Sequence, residues 1–146
     1  MKHKVRAYHK PGQMNKLEQK YANHLALLKA AGEIEDFAFE PEKLKLADGC
    51  YYIPDFRVIK SEVIWIHEVG TGDQTGFGAV MTPHVSQYIQ FKEVKAAWKV
   101  KGKPGEVKPH FEDDALVKLK VAASGIHPYQ FFSVWLENGI WQEKEF

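Results

Sequence analysis

CYYIPDFRVI (Cys50–Ile59), YIQFKEVKAAW (Tyr88–Trp98) and FEDDALVKLKVAA (Phe111–Ala123) decide how this chain is read. In order they suggest a strand ending near an aspartate, a second strand ending in Glu-Val-Lys, and a helix that carries lysines behind them. Residues i and i+2 of a strand project from one face, so Glu93 and Lys95 can enter one site. Asp55, from the neighbouring strand, is placed to complete it. Two carboxylates and a lysine on adjacent strands have a specific use. Carboxylate oxygens hold Mg²⁺ through one or two contacts and leave waters on the ion, while a nearby ammonium orients or helps deprotonate one of them.

Working outward, the N-terminal part holds the clearest helix. Asn15-x-x-Glu18 has the form of a capping box, Leu17, Tyr21, Leu25 and Leu28 recur at helical spacing, and Gly32 suits the position just past the end. Glu18 therefore has two readings: an acidic residue favoured at a helix N-terminus, or a side chain that points toward the sheet. Residues 1–13 are basic, contain Pro11-Gly12, and read as an arm.

Phe37–Phe39 and Leu44–Leu46 read as short strands before a turn at Asp48-Gly49, and Tyr51–Ile59 as a strand with Pro54 inside it, which puts the segment at an edge, a bulge or a bend. Val63–Val69, after a polar Ser61-Glu62 turn, is the expected hairpin partner of Phe56–Lys60. It ends in Glu68, with Gly70 where a lysine would be wanted. Residues 70–87 are rich in Gly and Thr and read as a long loop without the Gly-Lys-Ser/Thr ending of a P-loop. Residues 96–110, with four lysines, two glycines and two prolines, read as a flexible basic loop or a protruding hairpin. A helix over Asp113–Ser124 follows, with Glu112 or Asp113 as its cap. Tyr129–Leu136 then reads as a buried strand, joined through the hairpin signal Asn138-Gly139 to Ile140–Glu145.

The 146 residues suit one domain with a proper core. Cys50 is the single cysteine, so an internal disulfide and a structural cysteine zinc site are both excluded. The seven histidines lack metal-ligand spacing, and His67 on an apolar strand suits the core better than catalysis. No apolar run approaches the roughly 20 residues that span a bilayer, nor is there a signal-peptide core, so no membrane partner and a cytoplasmic location are expected. Net charge is only +1. Basic residues nevertheless cluster, in Lys2, His3, Lys4, Arg6 and Lys10 and again in Lys92, Lys95, Lys99, Lys101, Lys103 and Lys108, as candidate phosphate-facing patches.

Element order, with Pro-Asp on one strand and Glu-x-Lys on another, resembles the PD-(D/E)xK nuclease superfamily. The likeness is nearer to small phage-encoded endonucleases, including Holliday-junction-resolving enzymes, in which an N-terminal helix adds an acidic residue. The matching pieces are Asn15–Tyr21, Tyr52–Phe56, Glu93–Lys95 and Glu112–Lys118, spread over most of the chain. The resemblance implies a single restriction-endonuclease-like α/β domain over residues 1–146, with a mixed central sheet flanked by helices. It implies Mg²⁺- or Mn²⁺-dependent cleavage of DNA phosphodiesters, with branched or junction DNA as a candidate substrate. For a phage protein the location would be the cytoplasm of the infected bacterial host. Asp55 and Glu93 would be the metal carboxylates, Lys95 the lysine near the attacking water, and Glu18 the helix acid. Junction symmetry would favour a homodimer, although no dimer interface is legible.

One departure is evident. Compact relatives join the two motifs by one tight hairpin, which here would lead from Asp55 to Glu68. Either Val63–Gln87 is an insertion ahead of Glu93 and Lys95, or Glu68 holds the acidic position and Gly70 has removed the lysine. The second case gives the alternative reading: a weak or inactive nuclease fold that binds nucleic acid or a partner protein.

Overall fold

The capping box closes as the sequence predicts. In the computed structural model, which describes residues 10–68 and 80–146, the Asn15 side chain accepts from the amides of Leu17 and Glu18, and Glu18 returns a carboxylate oxygen to the Asn15 amide. Helix α1 (Lys16–Ala30) starts there. It ends with the Gly32 amide on the Lys29 carbonyl and the Glu33 amide on that of Leu28. Gly32 sits at φ 78°, the left-handed geometry that this double closure requires and that glycine adopts without Cβ strain.

The remaining elements are β1 (Asp36–Phe39), β2 (Leu44–Ala47), β3 (Cys50–Tyr52), β4 (Phe56–Glu68), β5 (Val80–Val94), β6 (Ala97–Lys99), β7 (Val107–Pro109), α2 (Asp113–Val121), β8 (Gln130–Glu137) and β9 (Ile140–Glu145). A π-helical turn, Ala122–Ile126, extends α2. The central sheet has the order β1-β4-β5-β8-β9, and β2-β3 and β6-β7 form separate two-stranded sheets. Pairing is antiparallel except between β5 and β8, where the crossover through α2 makes a parallel pair. The chain is thus an α/β domain with a mixed central sheet. No helix among the described residues is long and apolar enough to cross a membrane.

Alternation along the central strands supplies a core on each face of the sheet. On one side Phe56, Val58, Val94 and Val134 meet Tyr21, Ala22 and Leu25 of α1. On the other, Phe91 and Phe131 meet Leu119 of α2, Ala122, Leu44 and Tyr52. Glu93 has the parity of Phe91 and so belongs to the second face, near Tyr52.

Three expectations change, and a fourth is decided between its two alternatives. Pro54 does not bend one long strand: it is buried in a break between β3, which pairs with β2, and β4, which joins the central sheet. Ser61-Glu62 is not a turn, because β4 runs straight through it and pairs with β5 from Phe56↔Lys92 to Glu68↔Val80. Val80–Gln87, expected within the 70–87 loop, is therefore strand, while residues 70–79 lie outside the described residues. Segment 96–110 takes the hairpin form, as β6 and β7. Of the N-terminal arm, Lys2, His3, Lys4 and Arg6 lie outside the described residues.

Only Phe56–Ile59 and Gln90–Val94 are flanked by further strands. Beyond them β4 and β5 continue as a two-stranded ribbon whose Val63, Ile64, Trp65, Ile66, Met81 and Val85 are exposed. Pro83, paired with Trp65, is accommodated because, among the described residues, no further strand adds to that edge of β5.

Asn15 holds both the start of α1 and the Glu18 carboxylate. Asn15→Ala should cost about 1 kcal/mol or somewhat more, read as a lowered urea midpoint with an unchanged denaturant slope. An unaltered midpoint would mean that the cap contributes nothing to the fold.

Candidate functional site

Asp55 stands in the break before β4, and Glu93 and Lys95 at the end of β5. Antiparallel pairing of those two strands brings the three together. The bond that fixes them is specific: the Val94 amide donates to Asp55 Oδ2 at 2.7 Å. Lys95 Nζ donates to Glu93 Oε1 at 2.8 Å, and the Tyr52 hydroxyl donates to Glu93 Oε2 at 2.7 Å. Both Glu93 oxygens are thus held, with the side chain only 9% exposed. Lys95 is also placed by the Phe111 ring, whose centroid lies 5.5 Å from Nζ.

Glu18 fulfils both of its readings. Its oxygens accept from the Asn15 amide and side chain at 2.7 Å each. It is also buried, and its charge contributes to the potential felt by Asp55. The helix cap and the buried acid whose charge acts on Asp55 are one residue.

Burial raises the Asp55 carboxyl well above the ordinary aspartate range, and the neighbouring Glu93 charge raises it further. The Val94 amide and Lys95 oppose this but do not reverse it. For Lys95, burial pulls downward, yet Glu93 outweighs it and holds the ammonium above the usual lysine value. The Tyr52 hydroxyl is pushed upward by burial and by Glu93, so it remains a donor. Carboxylates crowded into a buried space with one ammonium form a site that a divalent cation would relieve.

Asp55 and Glu93 are the residues that would hold such an ion, since Mg²⁺ takes one or two carboxylates from protein and keeps its other ligands as water; among the described residues no group of three or more His, Cys, Asp or Glu side chains is gathered for a metal. Ser133 adds a consistent feature. It is the β8 partner of Glu93 in the parallel register, and its buried hydroxyl makes no hydrogen bond among the described residues. Glu68, the alternative acid, is carried by the 13-residue β4 to its far end, on the order of 40 Å from Asp55. The backbone therefore separates Glu68 from Asp55, and Gly70 lies outside the described residues.

The lysine stretch divides three ways. Lys92 is buried, pairs with Glu143 at 2.8 Å and lies 3.7 Å from the Phe132 centroid, so it serves the core and not a phosphate. Lys95 belongs to the site. Lys99, Lys101, Lys103 and Lys108 are exposed on the β6-β7 hairpin. Sequence reasoning overlooked Tyr52 and Ser133. Tyr52 is three residues before Asp55 in the quoted run, but nothing in its spacing distinguishes a carboxylate-holding hydroxyl from a core ring. Comparison with protein-family models, curated proteins and solved structures finds no match.

Because the Asp55 value in the folded state lies above that of the unfolded chain, its contribution to stability is complete below the ordinary aspartate range and is lost as pH rises through the raised value. Asp55→Asn keeps an oxygen for the Val94 amide and removes the buried charge. The substitution should raise the melting temperature near neutral pH by roughly 2–6 °C, the equivalent of about 1–2 kcal/mol. The gain should shrink toward about pH 4. A lower melting temperature at neutral pH would show that the carboxylate charge does not burden the fold.

Proposed function

We propose that this chain is a metal-dependent deoxyribonuclease of the PD-(D/E)xK type, with a restriction-endonuclease-like core. The observation that carries the reading is the Asp55 bond to the Val94 amide, which seats the Pro-Asp carboxylate beside Glu93-x-Lys95. A buried carboxylate pair with an adjacent ammonium, reached by an acidic side chain from the first helix, suits phosphodiester hydrolysis better than a surface ion pair would.

Asp55 and Glu93 would hold Mg²⁺ or Mn²⁺, which when bound would stabilise charge on the phosphate and lower the pKa of water. Lys95, fixed between Glu93 and Phe111, presents an ammonium that orients the attacking water and meets negative charge as it develops. Tyr52 holds Glu93 Oε2 and so sets the angle at which that carboxylate faces the site. Glu18 adds negative charge from the α1 side. DNA is the expected partner; branched or junction DNA and a homodimer are the finer forms of the proposal. The second reading, a binding protein without turnover, drew on Glu68 and Gly70. The distance of Glu68 from Asp55 favours the first.

The decisive measurement incubates the protein with labelled duplex, flap and four-way-junction DNA in Mg²⁺, Mn²⁺ or EDTA. Glu93→Ala should lower metal-dependent cleavage by at least about 100-fold, the worth of several kcal/mol of charge stabilisation. Lys95→Ala should slow the chemical step by roughly 100-fold or more while DNA binding persists. Glu68→Gln should be mild. Cleavage that survives Glu93→Ala, or no metal-dependent cleavage of any substrate by the unaltered chain, would refute the assignment.

A further inference from the structure

The β6-β7 hairpin leaves the sheet directly after Lys95 and returns at His110, whose amide donates to the Ala96 carbonyl at 2.8 Å. Its two faces differ. Ala97, Val107 and Pro109 are partly covered, whereas Trp98, Lys108 and His110 are exposed. Trp98 opposes Lys108 in the ladder. The His110 ring lies flat against the indole, with centroids 4.2 Å apart and planes inclined by 13°. Trp98 is still 59% exposed, so the imidazole covers one π-face and the other is open to solvent. Leaving a ring of this size uncovered forgoes a large apolar burial, yet the ring is braced in a fixed plane.

Charge along the hairpin is predominantly positive. Segment 96–110 carries Lys99, Lys101, Lys103 and Lys108 against Glu106 alone. Glu106 pairs with Lys103 at 3.1 Å, and among the described residues Lys99, Lys101 and Lys108 have no ion-pair partner. Both ends of the hairpin are tied to the candidate site. Lys95 lies two residues before β6, and Phe111, which follows His110, contacts the Lys95 ammonium.

We infer that Trp98, backed by His110, is a stacking platform for an unpaired base in a single-stranded segment of DNA, with Lys108 on the same face and Lys101 beyond the end of β6 meeting the flanking phosphates. An open aromatic face among unpaired ammonium groups is the combination that binds single strands, because every base offers a π-face and every linkage a charge. A duplex hides its base faces and would use the lysines only. The inference rests on reading the neighbouring site as one that receives a DNA strand. It adds a substrate class: Trp98 is three residues past Lys95, about 10 Å of extended chain, or roughly three nucleotides along a strand. The enzyme therefore selects DNA that exposes an unpaired base close to the scissile phosphate, as at a branch or a flap.

The test uses the full chain carrying Asp55→Asn, in EDTA, with fluorescently labelled oligothymidylate and a blunt duplex of equal length. Trp98→Ala should weaken oligothymidylate binding by roughly 5- to 100-fold and leave duplex binding essentially unchanged. Trp98→Phe, which keeps a ring on His110 and guards against a folding artefact, should retain most of the affinity. It should also abolish the quenching of tryptophan emission by oligothymidylate. Equal losses on both DNAs, no loss on either, or undiminished quenching in Trp98→Phe would each overturn the platform. Cleavage by the unaltered chain tests the nuclease reading separately. Single-strand selectivity can hold in EDTA when no cleavage occurs, and cleavage without that selectivity sinks the platform alone.

Discussion

The amide of Val94 reaching the Asp55 carboxylate is the contact on which the rest of the arrangement depends. It joins the residue that precedes β4 to the last residue of β5, at the point where the ladder between them would otherwise end. Without it Asp55 would have reason to turn toward water, since burial and Glu93 both oppose its charge. One backbone donor at 2.7 Å holds a carboxylate where its solvation is poor, and charged acceptors make the stronger class of hydrogen bond. Tyr52 and Lys95 do the same for Glu93. The carboxylates are therefore held in place by the protein's own donors, at the expense of local stability.

The two faces of the sheet divide the work. The α1 face, with Tyr21, Leu25, Phe56 and Val58, is the larger aliphatic and aromatic core. It fixes α1 firmly enough that the capping box also delivers Glu18 to the interior. The α2 face carries Tyr52, Phe91 and Phe131, and the strand alternation that buries Phe91 also directs Glu93 toward the same side. Candidate-site and core side chains thus share one periodicity, and neither set could shift register by one residue without losing the other.

Much of this was legible because it is local. Asn15-x-x-Glu18, Gly32 and Asn138-Gly139 act through hydrogen bonds and φ preferences within a few residues, and each element boundary follows. The placement of Glu93 and Lys95 on one strand face followed from a period of two. What failed was set by neighbours remote in sequence. Ser61-Glu62 has the polarity of a turn, but neither residue favours a positive φ, and continuous pairing with Gln87 and Ser86 keeps both in the strand. Val80–Gln87 was drawn into the loop by the glycines and threonines before it. Lys92 looked like its neighbouring lysines, yet its partner Glu143 comes from β9 and encloses it. Tyr52 reaches Glu93 from another strand, and Ser133 stands opposite it in β8, and no spacing rule encodes that.

The ribbon formed by the outer halves of β4 and β5 gives one strand two mechanical characters. From Phe56 to Ile59 the backbone of β4 lies between β1 and β5 under a buried core, so its amides are released only when the domain unfolds. Past Lys60, among the described residues, the same strand pairs with β5 alone, and its Val63, Ile64, Trp65 and Ile66 remain in contact with solvent. An isolated two-stranded ribbon is marginal in water, so this part opens by fraying from its distal end while the sheet stays closed. Amide hydrogen exchange along β4 should therefore fall stepwise in protection near Lys60, with the Val94–Asp55 clasp on the slow side of the step.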